Sequence, residues 1–361
     1  VTRPYIVLLS VLFLISCAGK NTQTAEQTEL FSENEITQQE VVETSIDNSA
    51  LYRQFSDLRI QGPVIPGLRQ PLVPQGMAFW IEQGLMIISN YMDNNSAGVL
   101  TFIDLESGTL HKILRLYNSD KTPHTGHLGG LAVGGNHLWI VSGSGVYPLR
   151  LEVVGSAENN GKIYLPKLLT TETKGSFATF YKDTLWIGEF TRKDGSYSTA
   201  EHHHCTDREG KLRRGWLAGY IPDAESGQLS SVIAANGKIT PDFIISIPDE
   251  IQGAVFTEEK VFLSASYGRK NKSRLLIFDS PLEEPSHQQS EIFPDHTIPF
   301  WFIDGLNKTG EIEMPPMSEA VVYSKGQVAV LFESAASKYR ATADFPLDRI
   351  QYLPVAGLAE F

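Results

Sequence analysis

One alternation of apolar runs and polar breaks recurs along most of this chain. Its clearest instance follows Gln75. Gly76-Met77-Ala78-Phe79-Trp80 reads as a strand, Glu82-Gln83-Gly84 as a turn, and Leu85-Met86-Ile87-Ile88-Ser89-Asn90-Tyr91 as a second strand. Asp93-Asn94-Asn95-Ser96 turns again, Val99-Leu100-Thr101-Phe102-Ile103-Asp104 is a third strand, and residues 111–116 are a fourth after Glu106-Ser107-Gly108. Short runs rich in β-branched and aromatic residues, bounded by Gly, Asn, Asp and Ser, predict strands rather than helices. No long stretch keeps the 3.6-residue apolar spacing of a helix. Four short antiparallel strands joined by tight turns make one blade of a β-propeller.

The same start returns at Gly129-Gly130-Leu131-Ala132-Val133, at Gly175-Ser176-Phe177-Ala178-Thr179-Phe180, at Gln252-Gly253-Ala254-Val255-Phe256 and at Ser318-Glu319-Ala320-Val321-Val322. Each is followed by a second strand, as in His137-Leu138-Trp139-Ile140-Val141 or Gln327-Val328-Ala329-Val330-Leu331-Phe332-Glu333. Such repetition favours a radial array. The expected fold is therefore all-β, a single propeller of five or six four-stranded blades over residues 51–361, the long intervals 176–253 and 253–319 each leaving room for a sixth. A propeller must hide its sheet edges. Residues 58–65, ahead of the first blade, are expected to pair with residues 348–353 near the end and close the ring.

Pro74-Gln75-Gly76-Met77, His127-Leu128-Gly129-Gly130-Leu131-Ala132-Val133, Ser266-Tyr267-Gly268-Arg269 with Ser273-Arg274-Leu275, and Met317-Ser318-Glu319 with Glu333-Ser334-Ala335-Ala336 carry a resemblance. These phrases are similar to those of exported bacterial β-propeller lipoproteins of the TolB-like and lactonase-like group, whose members are usually described as uncharacterised. The resemblance covers residues 72–353. It implies the fold, and it brings no reaction with it.

The first 17 residues change the picture of where the protein works. Arg3 precedes an apolar run of about ten residues, the length of a signal-peptide core and too short for a bilayer span of about 20 residues. Leu14-Ile15-Ser16-Cys17 resembles a bacterial lipobox, which implies cleavage after residue 16, lipidation of Cys17 and stable anchoring without a transmembrane helix. Residues 17–50 then hold seven acidic residues against one Lys and are expected to be a solvated tether. Ala18-Gly19 lacks the Asp associated with inner-membrane retention, so the expected place is the cell envelope, on the outer-membrane or periplasmic side.

The formal charge is −12, and loss of Arg3 makes the mature chain one unit more negative. Nucleic acid is not an expected partner. With Cys17 lipidated, Cys205 has no intrachain partner for a disulfide.

Polar residues recur at the start of the first strand of each repeat (Gln75, His127, Ser176, Gln252, Glu319) and at the end of the second (Asn90, Glu189, Ser266, Glu333). Strand start and next strand end lie together in an antiparallel hairpin, so both sets are expected at one channel mouth. The candidate site is thus Gln75, Asn90, His127, Glu189, Gln252, Arg269, Glu319 and Glu333. Such residues also suit a plainer task, pairing with backbone groups around a wet channel. Glu319 and Glu333 have the chemistry of an acid and base; with Glu189, Asn90 and water they could instead hold Ca²⁺. No spacing demands a cofactor. Glu201-His202-His203-His204-Cys205 contains zinc-type ligands, yet its polar flanks predict an exposed insertion with adventitious metal affinity, and the His124/His127 pair lacks helical spacing. The expected function is a membrane-anchored propeller that binds a small ligand, glycan or envelope protein at the mouth. The alternative is a hydrolase or lactonase using the same residues.

Overall fold

Five β-sheets stand around one axis in the computed structural model of the protein, which describes residues 35–42, 50–229, 232–234, 236–293 and 296–358. Blade 1 consists of Leu72–Trp80, Leu85–Met92, Val99–Asp104 and Leu110–Tyr117, with Gly161–Tyr164 added in parallel at its outer edge. Blade 2 is Gly130–Gly134, His137–Ser142, Gly145–Arg150 and Leu169–Thr170. Blade 3 is Phe177–Tyr181, Thr184–Gly188, Gly215–Tyr220 and Phe243–Ile247. Blade 4 is Ile251–Phe256, Lys260–Ala265, Ser273–Asp279 and Lys308–Met314. Blade 5 is Ser318–Ser324, Gln327–Phe332 and Arg349–Pro354, completed by Ile60–Val64 from the other end of the chain. That closure has Ile60 opposite Tyr352 and Gln61 opposite Gln351, so the ring is sealed where the edge argument required.

The long interval before Glu319 does not hide a sixth blade. Its hairpin, Gln288–Phe293 with His296–Phe302, leaves blade 4 and extends blade 3, pairing in parallel with Phe243–Ile247.

Each blade is covered on both faces by its neighbours, which is why second strands such as Leu85-Met86-Ile87-Ile88 and Leu138-Trp139-Ile140-Val141 are apolar throughout instead of alternating. The core is a set of layers between blades. Leu131 and Leu138 meet Leu85 and Ile87 between blades 1 and 2, Trp139 meets Leu185 and Ile187 between blades 2 and 3, and Phe262 meets Val328 and Val330 between blades 4 and 5. Glycine at the strand starts lets the innermost strands touch backbone to backbone. A Cβ on Gly76 would sit 2.7 Å from the Leu131 nitrogen, and one on Gly130 2.5 Å from that of Ala178.

The tether expected over residues 17–50 ends earlier than its composition implied. The signal segment 1–16, Cys17 and residues 18–34 and 43–49 lie outside the described residues, but residues 36–42 pack on the propeller, and the compact unit begins at Ile36. Ile36 is buried against Leu72, Val99 and Ile113. The Gln38 side chain donates to the carbonyls of Val64 (2.7 Å) and Gly108 (2.9 Å) and accepts from the Leu110 amide (2.6 Å). The Val41 and Val42 amides both donate to Asp348 Oδ2, at 2.8 and 3.0 Å. Few as they are, the apolar residues of this stretch meet a partner surface that a composition average does not register. Among the described residues no helix is long and apolar enough to cross a membrane.

Candidate functional site

The innermost strands of blades 1, 4 and 5 each break register close to their start, between Pro74 and Met77, Ile251 and Gly253, and Ser318 and Val321. Gln75, Gln252 and Glu319 occupy those irregularities. A bulge frees a residue from the ladder and re-aims its side chain, and all three residues line one cavity of about 580 Å³ at the axis. Its walls are aromatic: Tyr91, Phe190, Tyr197, Tyr267 and Tyr339, with His127 tilted against Tyr91 at 5.1 Å between ring centroids. Another groove, about 700 Å³, runs beside the closing strand along Gln61 and Arg349, away from the carboxyl pair.

Glu319, on the first strand of blade 5, and Glu333, directly after the second, form a hydrogen-bonded carboxyl pair. Burial raises both carboxyls. The neighbouring charge of Glu333 adds to this and holds Glu319 well above the usual carboxylate range, while Glu333 is pushed up to about 7. Gln75 Nε2 donates to Glu333 Oε2 at 2.9 Å, and Gln252 Nε2 to Glu319 Oε1 at 3.3 Å. The two amides thereby hold the carboxyl pair from neighbouring blades. Tyr91 and Tyr339 hydrogen-bond through their hydroxyls at 2.8 Å, and burial pushes the Tyr91 phenol up to about 12, so it stays protonated. Burial also lowers the His127 imidazole, helped by Lys338. The Arg269 guanidinium lies 4.9 Å over the Tyr339 ring, and that of Arg192 3.6 Å over Tyr267.

Six of the eight candidate residues therefore come together: Gln75, His127, Gln252, Arg269, Glu319 and Glu333. Asn90 does not. It is fully buried inside blade 1, where its Nδ2 faces the Ile88 and Val99 carbonyls and Thr101 Oγ1. Glu189 does not either. Its Oε1 accepts the Lys174 amide at 3.0 Å, and its Oε2 accepts the Trp216 amide at 3.1 Å and faces His203 Nδ1 at 2.9 Å. The Ca²⁺ donor set of Glu319, Glu333, Glu189 and Asn90 is thus not assembled at the mouth. Ser266 is tied to Ser273 at 2.9 Å, the plainer role.

The residues missed are the aromatic ones, and they had a signal. Tyr91, Phe190 and Tyr267 line the cavity and each directly follows a polar strand-end residue, Asn90, Glu189 or Ser266. Side chains alternate along a strand, so an error of one residue turns the wrong side chain inward.

The histidine run is also not simply an exposed insertion. His203 is 1% exposed and its ring stacks on Trp216 at 3.8 Å. Only His202 and His204 keep substantial exposure.

No protein-family model matches this chain, and no curated protein matches it in sequence. Among solved structures it is similar to a glutaminyl cyclase from Myxococcus xanthus, with 12% identity and a TM-score of 0.41 over 82% of this chain and 95% of that one. It is similar also to a GH43_1 enzyme from Xanthomonas citri, with 10% identity and a TM-score of 0.44 over 84% and 92% of the two chains. A third is a gluconolactonase from Xanthomonas campestris, with 13% identity and a TM-score of 0.38 over 82% and 95%. At these identities the likeness is one of fold alone.

Proposed function

We propose that this protein is a lipid-anchored envelope propeller that binds a small, hydroxyl-rich ligand of the sugar class in its axial cavity. The observation that carries the reading is the paired carboxyls Glu319 and Glu333, held by the Gln75 and Gln252 amides, in one cavity with aromatic walls. Aromatic rings of the wall, Phe190 and Tyr197 among them, suit the aliphatic C–H side of a sugar, while carboxyl and amide groups suit its hydroxyls, which both donate and accept. The cavity volume falls within the range of about 300–1,000 Å³ usual for small-ligand sites. Anchoring rests on the lipobox-like Leu14-Ile15-Ser16-Cys17.

Isothermal titration of the soluble domain with a panel of mono- and oligosaccharides tests the reading. One site per chain is expected, lost in Gln252→Ala and in Tyr267→Ala with the fold intact. A panel without heat, or heat unchanged in both variants, counts against it.

One observation favours a second reading as a hydrolase. A carboxylic acid in contact with a carboxylate can activate water and protonate a leaving group, as paired carboxyls sharing one proton do elsewhere. Glycoside hydrolysis needs its two carboxyls about 5 Å or more apart, so a directly hydrogen-bonded pair suits a lactone or ester. Lactone turnover that vanishes in Glu333→Gln and survives a chelator would decide for this second reading.

A further inference from the structure

Away from the axial cavity, we propose that Glu172, His202 and His203 form a binding site for a divalent transition metal of the zinc class. Glu172, His202 and His203 each offer one ligand atom that lies within 4.8 Å of the other two. Tetrahedral coordination with bonds of about 2.0–2.1 Å sets neighbouring ligand atoms about 3.3 Å apart. Glu172 Oε1 is 2.9 Å from His202 Nε2 and 3.7 Å from His203 Nε2, on either side of that value. The two contacts to Glu172 thus bracket the spacing that an ion requires.

The independent observation is His203 Nε2 itself. The residue is 1% exposed, and this nitrogen is buried without a hydrogen-bond partner. Such an orphan costs free energy unless something occupies it. Its other nitrogen, Nδ1, faces Glu189 Oε2 at 2.9 Å, and that carboxylate is fixed in turn by the Lys174 and Trp216 amides. A carboxylate at Nδ1 favours a proton there, and Nε2 faces Glu172 Oε1 at 3.7 Å. This carboxylate–histidine relay is the outer shell that orients metal-binding imidazoles. Glu172 is prepared similarly: Asn236 Nδ2 donates to its Oε2 at 3.1 Å and leaves Oε1 to the cluster. Three histidines in a row do not converge from a regular strand or helix, but the 3₁₀ turn Glu201–His203 sets the His202 and His203 rings at 87° with centroids 4.5 Å apart, so two of them do. His204 turns away to Thr199.

Two imidazoles and one carboxylate suit Zn²⁺ or Co²⁺ and not Ca²⁺, which takes oxygen ligands. The His202 side chain is 39% exposed, so the fourth position opens towards solvent. Lys238 Nζ, 3.6 Å from Glu172 Oε1, holds part of the place of the cation's charge. A bound ion would pin the insertion carrying the histidines to the segment before Phe177, whose Lys174, Gly175 and Ser176 line the axial cavity.

The test is titration of untagged, metal-free protein with Zn²⁺ and with Co²⁺. One ion per chain, a raised melting temperature, and the intense visible absorption of tetrahedral Co²⁺ are expected. His202→Ala should weaken binding at least tenfold, Glu189→Gln about tenfold through its outer-shell role, and His204→Ala should change nothing. His202 is partly exposed, so its variant decides the matter even where His203→Ala fails to fold. Absence of stoichiometric binding, or equal weakening by His204→Ala and His202→Ala, would overturn the proposal, the latter marking an exposed histidine tract that holds metal adventitiously.

Discussion

Gln75 donates to Glu333 across 258 positions of sequence, at 2.9 Å, and so fastens the innermost strand of the first blade to the second strand of the last. The acceptor is one half of a carboxyl pair whose other half, Glu319, keeps its proton well above the usual range. The pair titrates as a unit. Because both folded-state values are raised, the folded protein holds more protons than the unfolded chain once pH exceeds about 4.5, so stability falls as pH rises. For Glu333 the loss runs from its ordinary value up to about 7, and it extends higher for Glu319. Urea unfolding is expected to give a more stable domain at pH 5 than at pH 8, by on the order of a few kcal/mol. Glu319→Gln keeps a hydrogen-bond donor towards Glu333 without an ionisable proton and should flatten this slope while raising stability at pH 8. A slope equal to that of the parent would show that the pair is not its source.

The closing strand was legible because a sheet edge must find a partner and residues 58–65 had the only unassigned strand-like pattern ahead of blade 1. Half of the mouth was legible for a different reason: Gln75, Gln252 and Glu319 sit at strand starts whatever the register. At the strand ends, hairpin geometry fixes which end of the blade a residue occupies but not which way its side chain turns, so Glu333 lines the cavity whereas Asn90 and Glu189 turn into their blades and leave Tyr91 and Phe190 on it. The burial of His203 had no local signal. Its flanks, Lys193-Asp194-Gly195-Ser196 and Thr206-Asp207-Arg208-Glu209-Gly210, are polar, and what covers the ring comes from Trp216, Glu172 and Glu189. The blade count was hidden because the Gln288–Phe302 hairpin joins a sheet other than the one it interrupts.

Gly76 tests the close approach of innermost strands. Its own φ is not positive, so alanine meets no backbone strain there. It meets contacts of 2.7 Å with the Leu131 nitrogen and Ser89 Oγ instead, and backbone cannot move aside as a flexible side chain can. Gly76→Ala should cost about 1–3 kcal/mol, as overpacking of a tight core does. Gly84→Ala serves as the contrast. Nothing lies within 4 Å of its Cβ position, and its φ of 64° makes any loss there a matter of turn strain alone. Thermal denaturation should therefore show a larger drop in melting temperature for Gly76→Ala than for Gly84→Ala, and equal drops in the two variants would remove the strand-contact explanation.

Cys17→Ser is expected to release the protein from the membrane fraction while the domain stays folded. Cys17 is separated from Ile36 by 18 residues, which reach at most about 70 Å when fully extended. A propeller tied by lipid at that point therefore works within that distance of the bilayer. Fractionation of cells expressing the variant checks this, and persistent membrane association would argue that something other than lipid holds the protein there.

The packed segment 35–42 makes a sharper prediction about where the domain begins. A chain starting at residue 35 keeps Ile36 in its apolar pocket, the three hydrogen bonds of Gln38 and the two amide bonds to Asp348, and should melt with the full-length protein. Starting at residue 50 removes all of these. It leaves Asp348 Oδ2 without its two donors and exposes the contact face of Leu72, Val99 and Ile113. Burial of one large aliphatic side chain stabilises by about 1.5–3 kcal/mol, and each hydrogen bond adds about 1, so this truncation should lower the melting temperature by several degrees. Starting at residue 66 also removes Ile60–Val64 and bares the edge of Arg349–Pro354, which should cost far more and promote association between chains through that edge. Three melting temperatures in descending order, with aggregation confined to the shortest chain, are the expected result. Equal melting of the chains starting at 35 and 50 would mean that the segment lies on the propeller without stabilising it.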